Sequence, residues 1–194
     1  MALQIPRGAE RDYLMILGVA AIYGTELPIG GGFIGVSRDL NLSMQSLERR
    51  FAGAEIVFSL WVRDRETAEA LRRKANARIS SSRSAEAMRR AIEEVAGEHH
   101  IVLTEHDVVM ARVSAVVRTI DDAIEQARQN GELHWFNTTF REWRLAARSQ
   151  GRVMTYSEAK ARLRRAVIRL AVSEQTFCEL LPAIFPRLAR LNFD

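Results

Sequence analysis

A glycine-rich break between two apolar runs, close to the start, constrains this chain more than any other feature. Residues 13–23 read YLMILGVAAIY, residues 33–37 read FIGVS, and GTELPIGGG lies between them with one proline and four glycines. The first run is short, charged residues precede it and Gly24 follows it, which favours a buried strand over a helix. Two such runs joined by a proline–glycine turn predict an antiparallel hairpin. EIVFSLWV at 55–62 is rich in β-branched and aromatic residues and adds a third strand. Between them, Ser43 is placed to cap a helix running to about Arg50, with Gly53 just beyond. Asp64 then caps a helix whose apolar positions are Ala68, Leu71, Ala75 and Ile79. The order β-β-α-β-α predicts a small three-stranded antiparallel sheet with flanking helices.

The remainder reads as mainly helical, and the fold class is α+β. The serine cluster around 80–84 marks a break, so residues 1–80 form the sheet domain and 81–194 a helical region packed on it. A helix over 85–96 stops at Gly97, and HHIVLT (99–104) is a short strand or a connector. Thr104 and Asp107 have the spacing of a reciprocal cap for a helix reaching Asn130, with Gly131 as its stop. Val109, Val113, Val116, Ile120, Ile124 and Ala127 line one face of that helix. Two more helices are expected over 138–149 and 157–171, the second behind a Thr155–Glu158 capping box. Pro182 and Pro186 interrupt the tail.

Charge separates the two regions further. The chain of 194 residues has a formal net charge of +4, yet residues 1–140 carry 17 basic and 19 acidic side chains. Residues 141–194 carry 11 basic and 5 acidic, so the whole excess sits in the last quarter. Lys74 and Lys160 apart, every basic residue is arginine, whose planar fork suits phosphate and base edges. Arg141, Arg144 and Arg148 recur at helical spacing, as do Arg162, Arg165 and Arg169. Trp135, Phe136, Phe140 and Trp143 lie among them and read as core aromatics. Two basic helices joined by SQGRVMTYS suit a phosphate backbone, and DNA is the expected partner.

Several function classes are excluded or left without a signal. A single cysteine, Cys178, excludes an intrachain disulfide framework and any multi-cysteine zinc site. It stands in an apolar context and reads as a buried structural thiol, and the expected location is cytoplasmic. The longest apolar run is about half of a membrane span, and no membrane partner is expected. No H-E-x-x-H, P-loop or G-x-G-x-x-G pattern occurs. His99 and His100 are adjacent, so in a strand they point to opposite sides, and His106 reads as a solvated side chain in a first helical turn.

The order hairpin, helix, strand, helix, together with Ala21-Ile22-Tyr23 and Phe33-Ile34-Gly35 nine residues apart, resembles the GIY-YIG nuclease domain over about residues 13–79. Ala21 and Phe33 depart from the naming tripeptides, and Phe33 has no hydroxyl. The resemblance implies metal-assisted cleavage of a DNA phosphodiester. On that reading Tyr23 assists the attacking water, Arg49 (or Arg38) stabilises phosphate charge, and Glu69 (or Glu66) holds Mg²⁺. An alternative of another class is a non-enzymatic interaction module, homodimeric through the valine-lined helix 105–130.

Overall fold

The computed structural model describes residues 3–79 and 83–173. It is an α+β fold of two compact units, divided between Val113 and Ser114. Cys178, Pro182 and Pro186 lie outside the described residues.

The first unit is built on a four-stranded antiparallel sheet of order β2-β1-β3-β4. Its strands are β1 (Ala20–Glu26), β2 (Ile34–Ser37), β3 (Glu55–Val62) and the two-residue β4 (Thr104–Glu105). The expected hairpin forms, with Ile22 opposite Val36 and Tyr23 opposite Gly35. β4 extends the expected three strands by pairing Leu60 with Glu105 and Trp61 with Thr104. Every residue of β1 from Ala20 to Thr25 is buried. A central strand covered on both faces shows no apolar–polar alternation, which is why it reads as a continuous run.

The run over 13–23 is a strand only from Ala20. Its first part ends a helix, α1 (Gly8–Leu17), that buries Tyr13 and Leu14. Gly18, at φ 78° and ψ 3°, supplies the left-handed residue that closes this helix. A helix end and a central strand, both apolar and two residues apart, thus look like one element. The next helix, α2 (Leu40–Arg50), begins earlier than expected, because Asp39 rather than Ser43 caps it and accepts from the Leu42 N–H at 3.2 Å.

Alternate strand residues face opposite layers. Ile22, Ile34, Leu60 and Val62 face α3 (Arg65–Arg78) and α4 (Ala85–Glu98), where Leu71, Met88, Ile92 and Val95 complete the core. Asp64 caps α3 through the Thr67 N–H at 2.7 Å, and Ser84 caps α4 through the Ala87 N–H at 3.3 Å. Because α4 closes this core, the unit continues well past residue 80, which corrects the expected boundary. α4 also runs one residue beyond Gly97. The other sheet face presents Tyr23, Gly35, Ser37, Ser59 and Trp61. There the Ser43 hydroxyl of α2 donates to Ser37 Oγ at 2.7 Å.

The second unit is helical. It contains the C-terminal part of α5 (His106–Gln129), then α6 (His134–Ser149) and α7 (Tyr156–Ser173). α6 starts four residues before the expected Thr138. Ile120, Ile124, Leu133, Phe136, Leu163 and Val167 are buried. Asp121 of α5 and Arg164 of α7 form a two-pronged ion pair at 2.7 and 2.9 Å. The capping box forms as expected: Thr155 N–H donates to Glu158 at 2.8 Å and Glu158 N–H to Thr155 Oγ1 at 3.2 Å. No helix among the described residues is long and apolar enough to cross a membrane.

Candidate nucleic-acid interface

The sheet unit does not bring Tyr23, Arg49 and Glu69 together. Tyr23 is buried on the α2 side of the sheet, and its hydroxyl meets Ser43. Its ring crosses β2 at Gly35, where an added Cβ would come within 2.2 Å of Tyr23 Cζ. Burial raises the phenol above its ordinary value, and the Ser43 hydrogen bond only partly offsets this. The phenolate that would activate water is therefore disfavoured. Arg49 lies two residues past the buried Leu47, roughly 200° further round α2, and is exposed. Glu69 belongs to α3, which packs on the opposite face of the sheet, and pairs with Arg72 at 2.9 Å and Arg65 at 3.8 Å.

The alternates are occupied elsewhere or stand apart. Arg38 donates to the Met15 carbonyl at 3.1 Å, in the last turn of α1 where carbonyls lack helical partners. Glu66 is exposed in the first turn of α3. A divalent cation such as Mg²⁺ needs several oxygen ligands around it. Among the described residues no three His, Cys, Asp or Glu side chains gather, and Glu69 faces two guanidinium groups. This donor set does not fit the cation.

One histidine is placed differently from the expectation. His106 is buried, not solvated. The Trp61 indole N–H donates to its Nδ1 at 3.1 Å, and its Nε2 lies 2.7 Å from the Gln4 carbonyl. Those partners assign the proton to Nε2. Lys74 lies 2.7 Å from His99 Nε2.

The helical unit does gather the predicted arginines onto two adjoining helices. Residues 141–173 carry nine basic side chains against two acidic ones, Glu142 and Glu158. Arg141, Arg144 and Arg148 are exposed along α6, Arg162 and Arg169 are exposed along α7, and Arg165 is half-buried. Among the described residues, the five exposed ones have no ion-pair partner. Two of them lie on aromatic rings: the Arg144 guanidinium is 5.7 Å from the Phe140 centroid, and Arg162 reaches from α7 to lie 5.1 Å from the Trp143 centroid on α6. The aromatic cluster beneath is genuine. Phe136 packs edge-on to Trp143 and Tyr156, both at 6.2 Å, and Phe140 packs on Tyr156 at 5.4 Å.

Two recesses flank this helix pair. One, of about 340 Å³, is walled by Trp143, Arg152, Glu158, Arg162 and Arg165. Arg152, exposed in the α6–α7 turn, was not singled out from the sequence, because it belongs to neither helical stripe. The other, of about 450 Å³, lies beside Glu125, Arg128, His134, Tyr156 and Lys160. Arg128 donates to Glu125 at 3.0 Å and holds that carboxyl at about 2. Against known proteins, no family model, no curated protein and no solved structure matches the chain.

Proposed function

We propose that this protein binds nucleic acid, most simply DNA, through the arginine-bearing surface of α6 and α7. The observation that carries the reading is the set of exposed arginines on these helices with no carboxylate partner among the described residues. A row of cations at helical spacing can displace condensed counterions from a phosphate backbone. Placing two of these guanidinium groups over aromatic rings holds them without neutralising them.

The GIY-YIG resemblance supports a nucleic-acid partner through its element order, and the reading stops at binding. Tyr23 and Glu69 lie on opposite sides of the sheet, so the cleavage chemistry implied for them has no common site. The interaction-module reading has less support. Val113, Ile120, Ile124 and Ala127 of the valine-lined stripe are buried within the chain.

The test is fluorescence anisotropy of a labelled DNA duplex across salt. Six phosphate contacts would weaken binding about a thousandfold between roughly 50 and 200 mM salt. A flat response, or no binding of either duplex or single strand at the lower salt, would remove the proposal.

A further inference from the structure

The 340 Å³ recess between α6 and α7 differs from a surface suited only to phosphates. A duplex turns phosphates outward and keeps its bases stacked inside, so cations on a convex surface are all it requires. This recess adds an indole wall, Trp143, with the Arg162 guanidinium carbon over the ring, 5.1 Å from its centre. Ala146, Ala147 and Ala161 leave the space beside that pair open. Arg152 from the turn supplies a second cation at the wall. Among the described residues lining it, the single carboxylate, Glu158, is held by the Thr155 N–H as part of the helix cap. The result is a net-positive recess with a planar aromatic wall, of the size that takes a small ligand. Its chemistry matches one flat heteroaromatic ring with an attached phosphate.

We infer that this recess takes one unpaired nucleotide, stacking its base against the Arg162–Trp143 pair and its phosphate against Arg152. The inference rests on the nucleic-acid reading above and specifies its substrate: single-stranded nucleic acid is bound in preference to duplex. Arginine–aromatic platforms tolerate any base, so the preference is for strandedness rather than sequence.

The experiment compares the full chain's affinity for a fluorescein-labelled oligothymidine strand and for a labelled DNA duplex of the same length. Three variants are tested, with circular dichroism confirming that each is folded. Trp143→Leu removes the aromatic wall, Ala146→Leu fills the recess at an exposed position without changing charge, and Arg162→Lys keeps the cation but not the plane. The expected result is tighter binding of the single strand. Trp143→Leu and Ala146→Leu should each cost it about tenfold, the loss of roughly one base–aromatic stack, while duplex affinity changes by less than about twofold. Arg162→Lys should show the same selectivity in smaller measure. Should Trp143→Leu fail to fold, Ala146→Leu carries the test. Equal affinity for strand and duplex, or equal losses in both, overturns the recess and leaves phosphate binding standing. Absence of binding to either probe at about 50 mM salt overturns both readings.

Discussion

Arg78 and Arg162 sit near the surface of helices packed on their respective cores, and their surroundings differ. Arg78 of the sheet unit is clamped by both oxygens of Glu98 on the neighbouring helix. Arg89 pairs with Glu93 and Glu105, Arg90 with Glu86, and Arg11 with the buried Asp39. Arg162 of the helical unit meets an indole ring, and Arg141, Arg148 and Arg169 meet no acid among the described residues. The sheet unit thus uses much of its arginine internally, linking helices and loops, whereas the exposed arginines of α6 and α7 have no acid partner among the described residues. A net charge of +4 conceals this difference. Exposed ion pairs contribute little stability, so the contrast bears more on partner choice than on folding.

The comparison can be broken most forcefully at the sheet core. Ile22→Ala should destabilise the sheet unit by about 2–5 kcal/mol in urea unfolding. It should leave nucleic-acid affinity of the folded protein unchanged, and a parallel loss of affinity would mean that the sheet unit contributes to binding. The reverse experiment replaces Arg141, Arg148, Arg162 and Arg169 with Gln. DNA affinity should fall about 100-fold and the salt slope by about one for each phosphate no longer neutralised, while stability stays within about 1 kcal/mol. The same exchange at Arg78, Arg89 and Arg90 should change affinity by no more than about twofold.

Smaller effects sharpen the account of the sheet unit. Gly35→Ala pushes a methyl into the Tyr23 ring and should cost about 1–3 kcal/mol, read from the denaturation midpoint. Tyr23→Phe removes only the hydroxyl that meets Ser43, and should cost about 1 kcal/mol with no change in DNA binding. The smallest effect is acid dependence in the helical unit. Arg128 lowers the Glu125 carboxyl from 4.5 to about 2, so this pair's contribution is fully present above the ordinary value and is lost as pH falls towards about 2. Thermal melts should therefore show no pH dependence from this pair between neutral pH and about 5, and Glu125→Gln should flatten part of the decline below that.

Much of the fold was legible because it is written locally. The Asp64 cap, the Thr155–Glu158 box and the β3 run each depend on a few neighbouring residues, and each formed as read. The errors arose where local signals were ambiguous. Only Gly18 and Val19 separate α1 from β1, and a glycine inside an apolar run does not announce a helix end. Ser43 and Asp39 are both capable caps, and Asp39 prevailed while Ser43 turned its hydroxyl to Ser37. His106 looked solvated because nothing nearby in sequence shows Trp61 and Gln4 closing over it.

Residue order by itself determined the α+β class, the hairpin, the basic bias of the last quarter and both arginine stripes. Periodicity, capping and charge are properties of contiguous residues and need no partner to be read. Tertiary structure alone decided that Tyr23 and Glu69 occupy opposite sides of the sheet, since strand alternation and the layer each helix covers fix direction only after packing. It also decided that Arg162 would lie over Trp143, nineteen positions earlier, with Arg152 beside the same recess. Long-range neighbours of this kind arise from two helices closing on shared aromatic rings, which no window along the chain contains.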